Sequence, residues 1–450
     1  MDWSTQSSLK GGTKQHAPCE ERAGSAAGLG NRRLWLRWAV GSIAAAGGVA
    51  AVGYWIRQGE EAFQSARLSA DIFKNDAPRG TLWEAWQRQG WTREALHYLR
   101  LGKNIQCRLC PNECVLGPED RGRCRNRVNK GGTLYTLTYN NPCALNLDPI
   151  EKKPLFHFLP GTEILSLATA GCGFRCLNCQ NWEISQRRPE QTKDPFGSPL
   201  RLNPGDLSVL GTVGLERLTL LPEDVVALAE HFSSPSIAFT YSEPSVWFEY
   251  MFDIAQLAHE RGLKNVWVTC GYIQQRPLQE LCAVIDAANV DLKSFDPQIY
   301  GRLNSGKLEP ILATLKTLKR EGIWFEITNL IVPSYTDDLE MIRRMCHWIQ
   351  NELGPDYPLH FSRFHPAHQL THLPSTPVQI LLDAQQIAYD TGLRYVYIGN
   401  VRGVKEAETT FCPRCHRVLI DRDIFSVLEM HLENGSCSHC GEKIAGVWTT

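Results

Sequence analysis

From residue 222 onward the chain alternates between two hydrophobic periods. Short apolar runs at Ser236-Ile-Ala-Phe-Thr, Asn265-Val-Trp-Val-Thr, Asn289-Val-Asp291-Leu-Lys293, Trp324-Phe-Glu-Ile-Thr-Asn-Leu-Ile-Val and Pro358-Leu-His-Phe-Ser-Arg363 read as buried strands, and Tyr395 to Asn400 is a candidate to close the set. Helical patterns stand between them, over 222–233, up to 262, and over 275–288, 306–321, 337–353 and 376–392. Repeated strand–helix units require a parallel sheet with right-handed crossovers. The apolar run Ile164-Leu-Ser-Leu-Ala-Thr-Ala adds one more strand and brings the barrel to about six, short of the eight that close a barrel. The predicted fold is therefore α/β, a partial (β/α)6 barrel over residues 164–402.

The flanks read differently. Residues 1–30 lack periodicity and are expected to be disordered. Arg32 and Arg33 then precede an apolar run from Trp38 to Ile56, long enough for a bilayer-spanning helix and similar to a twin-arginine export signal. The basic flank places the leader on the cytoplasmic side by the positive-inside rule, whereas reduced thiols favour a cytoplasmic body. A retained membrane anchor over residues 1–60, with its side left open, is the expectation. Residues 61–104 read as a helical collar packed through Trp83, Trp86, Trp91, Leu96 and Leu99, and residues 187–221 as a polar loop.

Composition narrows the functions. A net charge of -1 over 450 residues gives no global field for nucleic acid, which argues against a nucleic-acid partner. Most of the sixteen cysteines fall in C-x2-C or C-x3-C groups, which in so long a chain indicates metal rather than a disulfide scaffold. Cys282 and Cys346 lie in helical patterns and read as small buried apolar residues.

The most informative group is Cys172, Cys176 and Cys179, in C-x3-C-x2-C spacing directly after the apolar run at 164. An iron–sulfur cubane normally takes four cysteines, so three leave one iron without a protein ligand. That open iron can chelate S-adenosylmethionine and pass it an electron, giving a 5′-deoxyadenosyl radical. A zinc knuckle with a borrowed fourth ligand is the plainer alternative. The loop and its Gln180-Asn181-Trp182 tail resemble the radical S-adenosylmethionine (radical SAM) superfamily. More narrowly, they resemble the radical SAM enzyme of the AmmeMemoRadiSam system, a relative of pyruvate formate-lyase activating enzymes. The resemblance runs from about Cys107 to Trp448 and implies the same partial barrel, a [4Fe-4S] cluster, S-adenosylmethionine and a low-potential electron donor.

In such sheets chemistry gathers at the carboxyl ends of the strands. There the resemblance matches Thr240, Ser242, Glu243 and Pro244 to a glycine-glycine-glutamate-proline motif for the cofactor's amino group, with Tyr241-Ser242 replacing the glycines. Asp291 and Lys293 resemble an Asp-Leu-Lys element that faces substrate. Cys270 stands where Thr-Asn-Gly is expected, which raises the possibility of a thiol near the radical. Arg363 and His365 are candidates for the adenosyl moiety or substrate. Strand-end salt links are the structural alternative for each pair. The lead-in Asp148 to Gly161 also resembles the family, and Glu151, Lys152 and His157 are candidates to line the substrate mouth, although a lone His between two Phe more often packs.

Two further cysteine groups remain. Cys107, Cys110, Cys114 and Cys124, in the Cys-rich knuckle of residues 105–163, can enclose one metal, with zinc and a second iron–sulfur cluster both open. The neighbouring Arg121, Arg123, Arg125, Arg127 and Lys130 read as a solvated face or a contact for an anionic partner. Cys412, Cys415, Cys437 and Cys440, in residues 403–450, have the double C-x2-C spacing of a zinc ribbon, with a rubredoxin-like iron site as alternative. The favoured function is a radical SAM enzyme acting on an unknown substrate. The runner-up installs a glycyl radical on a partner protein. A reading from another class is a membrane-tethered electron-transfer scaffold, for which an open iron has no use.

Overall fold

In the computed structural model, which describes residues 72–198, 200 and 214–449, the apolar runs pair into one eight-stranded sheet whose order follows the chain. Its strands are β1 (Ala144–Pro149), β2 (Glu163–Ala168), β3 (Ser236–Phe239), β4 (Lys264–Thr269), β5 (Ala287–Asp291), β6 (Trp324–Ile331), β7 (Leu359–Arg363) and β8 (Val396–Gly399). β1 runs antiparallel to β2, and from β2 to β8 every pairing is parallel. Among the described residues, six helices of eight residues or more occupy the crossovers: α1 (Pro222–His231), α2 (Phe248–Glu260), α3 (Gln275–Cys282), α4 (Glu309–Arg320), α5 (Leu339–Trp348) and α6 (Val378–Asp390). The terminal strands β1 and β8 do not pair with each other, so the sheet stays open. Six strand–helix units match the expected count. β8 adds a seventh parallel strand, and β1 is an edge strand inside what the sequence presents only as a lead-in.

The strands are apolar because helices and lead-in cover both faces. Ile237, Phe239, Trp267, Val290 and Ile327 are fully buried, each worth about 1.5–3 kcal/mol of transfer free energy. Cys346 is fully buried in α5, as its helical pattern implies, and Cys282 is half-buried at the end of α3. The apolar run from Trp38 to Ile56 lies outside the described residues. Among those described, no helix is long and apolar enough to cross a membrane.

The helical collar is corrected. Among the described residues of the collar, from 72 on, only Gly80–Arg88 forms an α-helix; the chain then passes through Gly90 at φ +71 into two small antiparallel sheets, through Arg93–Glu94 and Tyr98–Leu101. Trp86 and Trp91 are buried as expected, with their indole N–H groups donating to Leu137 O at 3.0 Å and Thr219 Oγ1 at 2.9 Å. Leu96 and Leu99 are 55% and 49% exposed, because past Gly90 the helical period no longer applies. The basic residues after Arg121 do not form a solvated face either. Arg121, Arg123 and Arg127 are buried, with Arg121 on Asp76 at 2.8 Å and Arg127 on Glu249 at 2.7 Å.

The C-terminal strands Thr410–Phe411, Val418–Asp423 and Ser426–Met430 form a separate sheet that packs against the amino ends of the barrel strands. Its Arg422 donates to Phe156 O at 2.7 Å. This corrects the placement of Glu151 and His157, which are 1% and 0% exposed and lie beneath this unit, not at a substrate mouth. His157 bonds Ala445 O at 2.7 Å and Tyr397 Oη at 2.6 Å, and Glu151 accepts from Gly161 N at 2.8 Å. Lys152 is bound to Asp148 at 2.8 Å.

Burial pushes the His157 pKa down from 6.5 to about 4. The unfolded chain therefore takes up a proton that the native chain refuses as pH falls from about 6.5 to about 4, and stability drops across that window at up to about 1.4 kcal/mol per pH unit. His157→Gln should flatten this part of the pH profile of denaturant unfolding, whatever it does to the absolute stability; an unchanged slope would refute the assignment.

Candidate active site

After β2 the chain turns through Gly171, at φ +92, into the three-cysteine loop. A Cβ at Gly171 would lie 1.9 Å from Asn126 Oδ1 and 2.5 Å from Cys124 O, so only glycine allows the approach. Gly306 serves the other side: a Cβ there would lie 2.4 Å from the ring of Phe174, which is buried against Tyr272 at 4.8 Å between ring centres. The loop is pinned to the turn Tyr300–Asn304 by Arg175 N to Asn304 O at 3.1 Å and Leu177 N to Leu303 O at 2.9 Å.

Each sulfur has a polar neighbour. Phe174 N donates to Cys172 Sγ at 3.3 Å, Asn304 Nδ2 donates to Cys176 Sγ at 3.3 Å, and Cys179 Sγ lies 3.0 Å from Ser185 Oγ. Desolvation pushes the Cys176 thiol up to about 11, opposed by Lys293, and raises the Cys172 thiol well above its ordinary value. Thiols so raised become thiolates when a metal displaces their protons. Among the described residues, only the ribbon quartet brings three or more His, Cys, Asp or Glu ligand atoms all within 4.8 Å of one another. Tetrahedral zinc needs sulfurs about 3.8 Å apart, given bonds of about 2.3 Å. The wider loop, with N–H donors aimed at its sulfurs, fits an iron–sulfur cluster better than a single ion.

The carboxyl ends of β3, β4 and β5 surround the loop. Glu243 is 3% exposed and accepts from Ser245 N at 3.0 Å, Ser245 Oγ at 2.6 Å, Thr269 Oγ1 at 2.7 Å, Cys270 N at 2.8 Å and Cys270 Sγ at 2.7 Å. Five donors engage every lone pair of this carboxylate. Thr240 N donates to Leu167 O at 3.1 Å, and Ser242 Oγ accepts from Trp247 Nε1 at 3.3 Å. Asp291 and Lys293 pair at 2.7 Å. Desolvation lowers the Lys293 pKa, but Asp291, Cys176 and Cys270 outweigh it and hold the ammonium charged. Arg363 and His365 stand farther round the rim, donating to Thr376 O at 2.8 Å and bonding Ser375 and Asn400, not the cysteine loop.

Tyr241 occupies the left-handed region at φ +62, a conformation that costs a bulky residue about 1–3 kcal/mol. Its hydroxyl donates to Asp148 and accepts from Asn146 Nδ2 at 3.1 Å, while Lys153 Nζ sits 4.7 Å from the ring centre. Asn181 Nδ2, in the tail of the cysteine loop, donates to Tyr241 O at 2.8 Å and ties the loop to this turn. Sequence reasoning misses Asn304, whose role depends on a contact 128 residues away, and the anchoring of Tyr241 by Asp148 and Lys153. Gly171→Ala should cost more than about 3 kcal/mol in denaturant unfolding, since backbone would have to move; a cost under about 1 kcal/mol would show that the approach is soft.

The Radical SAM superfamily model matches residues 166–349. The chain is 43% identical over 355 residues to the uncharacterized protein MJ0808 of Methanocaldococcus jannaschii, covering 78% of this chain and 98% of that protein. It is 24% identical over 184 residues to the pyruvate formate-lyase-activating enzyme of Clostridium pasteurianum, covering 40% of this chain and 67% of that enzyme. Among solved structures, a radical SAM methyltransferase from Sphaerobacter thermophilus is 11% identical, with 70% of this chain and 80% of that chain covered and a TM-score of 0.40. With its three-cysteine loop seated at the carboxyl rim of an open parallel sheet, the chain belongs to the radical SAM superfamily of enzymes.

Proposed function

We propose that Cys172, Cys176 and Cys179 hold a [4Fe-4S] cluster with one iron left to S-adenosylmethionine, whose reductive cleavage supplies a 5′-deoxyadenosyl radical that takes hydrogen from a substrate still to be identified. The observation that carries this reading is the set of three thiols, each with its own polar neighbour, at the carboxyl ends of the parallel strands. Lys293 supports it by keeping a positive charge beside Cys176, which favours the thiolate. Thr240, Ser242 and their turn receive the cofactor's amino group. Glu243, saturated by Ser245, Thr269 and Cys270, fixes the ends of β3 and β4 against each other and acts by positioning. Asp291 and Lys293 face the substrate, and Arg363 and His365 the adenosyl moiety or the substrate.

The finer assignment is to the AmmeMemoRadiSam system, with a low-potential electron donor and partner proteins of that system, and with the apolar run at 38–56 as membrane anchor. A second reading, activation of a glycyl-radical partner, is favoured by the similarity to a pyruvate formate-lyase-activating enzyme over 184 residues and by the Asp291-Leu-Lys293 element.

Anaerobic reconstitution with iron and sulfide, followed by dithionite and S-adenosylmethionine, should yield 5′-deoxyadenosine and methionine. Cys172→Ala should reduce both to background while the ribbon keeps its metal. Undiminished cleavage by that variant would sink the assignment, and a reducible wild-type cluster without cleavage would favour electron transfer instead.

A further inference from the structure

The knuckle that precedes the barrel is built by two tight turns. Cys107 N donates to Cys114 O at 2.9 Å and Glu113 N to Cys110 O at 3.1 Å, with Glu113 at φ +42. Gly122 N donates to Arg127 O at 2.7 Å and Arg125 N to Gly122 O at 2.9 Å, with Arg125 at φ +73. The turns bring Cys107, Cys110, Cys114 and Cys124 to the wall of one cavity, completed by Leu109, Leu116 and Val246 together with the polar Asn112 and Arg127. Cys107, Cys110 and Cys124 are 7%, 9% and 8% exposed.

Two observations say what this cavity holds. First, its sulfurs are not clustered as the ribbon's are. In the ribbon, Cys412 and Cys440 lie 3.6 Å apart and Cys415 and Cys437 3.8 Å apart, the edge lengths of a zinc tetrahedron. No three knuckle sulfurs fall within 4.8 Å of one another, as is also true of the loop at Cys172. Second, Arg127 lines the cavity at 1% exposure and leaves its Nε–H without a partner, although its other nitrogens hold Glu249. An unpartnered guanidinium N–H beside four cysteines suits an anionic, polynuclear occupant.

We propose that Cys107, Cys110, Cys114 and Cys124 hold a second iron–sulfur cluster, distinct from the one at Cys172. Four thiolates leave no iron open, so its chemistry is the uptake of one electron from a low-potential one-electron donor and the release of that electron as it returns to its oxidised state. The site adjoins the three-cysteine loop. Asn112, on the cavity wall, donates from Nδ2 to Gly173 O at 3.0 Å, and Val246 lines the cavity while standing 3.7 Å from where a Gly173 Cβ would be. The inference rests on the family membership only for the contrast with the loop, and is tested apart from it.

The full chain carrying Cys172→Ala, Cys176→Ala and Cys179→Ala is reconstituted anaerobically with iron and sulfide and assayed for metal. It should bind about four iron and four sulfide ions while keeping about one zinc in the ribbon, take up about one electron per chain, and show a paramagnetic signal indifferent to S-adenosylmethionine. The wild-type chain should bind about eight irons. Adding Cys107→Ser and Cys124→Ser to the triple variant should remove the remaining iron and leave the ribbon zinc. A triple variant with about two zincs and no iron, its wild-type parent holding about four irons, would overturn the second cluster. Equal iron in wild type and triple variant would instead count against the cluster at Cys172.

Discussion

The close approach of two backbone segments governs the catalytic end of this molecule. Gly171 meets Cys124 O and Asn126 with no room for a Cβ, and two residues on, Gly173 O accepts from both Asn112 Nδ2 at 3.0 Å and Arg123 Nε at 3.1 Å. Arg123 continues to Ser305 O at 2.8 Å, beside the glycine on which Phe174 rests. The three-cysteine loop is therefore held between the N-terminal knuckle and the segment after β5. Neither neighbour belongs to the strand that delivers the loop. A displacement in one is felt in the others because buried backbone packed at van der Waals contact has nowhere to go.

The two ends of the sheet solve opposite problems. At the amino ends, polar groups are consumed internally: Glu326 accepts from Phe156 N at 2.9 Å and His157 N at 2.7 Å, and pairs with His360 at 2.6 Å, while Arg422 from the C-terminal unit reaches in. This end is a seal. At the carboxyl ends the polar groups are arranged around sulfur. Glu243 locks β3 to β4, Asp291 fixes Lys293, and Asn181 secures the turn at Tyr241. The Tyr241 backbone would suit glycine better, so its strain is retained at the rim where the cofactor is proposed to bind.

Cationic side chains clustered near Arg121 illustrate the limit of charge patterns. In the sequence they resemble a surface stripe. In the fold Arg121 and Arg127 each find a carboxylate from a distant segment, Asp76 and Glu249, and the stripe becomes interior. The error has a plain cause: a guanidinium is buried only when a partner arrives, and the partner's arrival is a property of the fold.

What the sequence determines by itself is whatever is encoded within a few residues. The period of the apolar positions decides strand or helix, so the six helices and about six of the seven parallel strands were legible, and the spacing of cysteines decides which thiols can share a metal. Gly90 and the edge strand at Ala144 escaped because one glycine or one exposed edge barely changes a local pattern. Tertiary structure alone decided that His157 seals the base of the barrel, that Asn304 serves Cys176 and that Asn112 touches the cysteine loop. It also decided that the knuckle sulfurs stand wider apart than those of the ribbon. Spacing along a chain limits how close sulfurs can come, but how far apart they stay depends on what packs between and behind them.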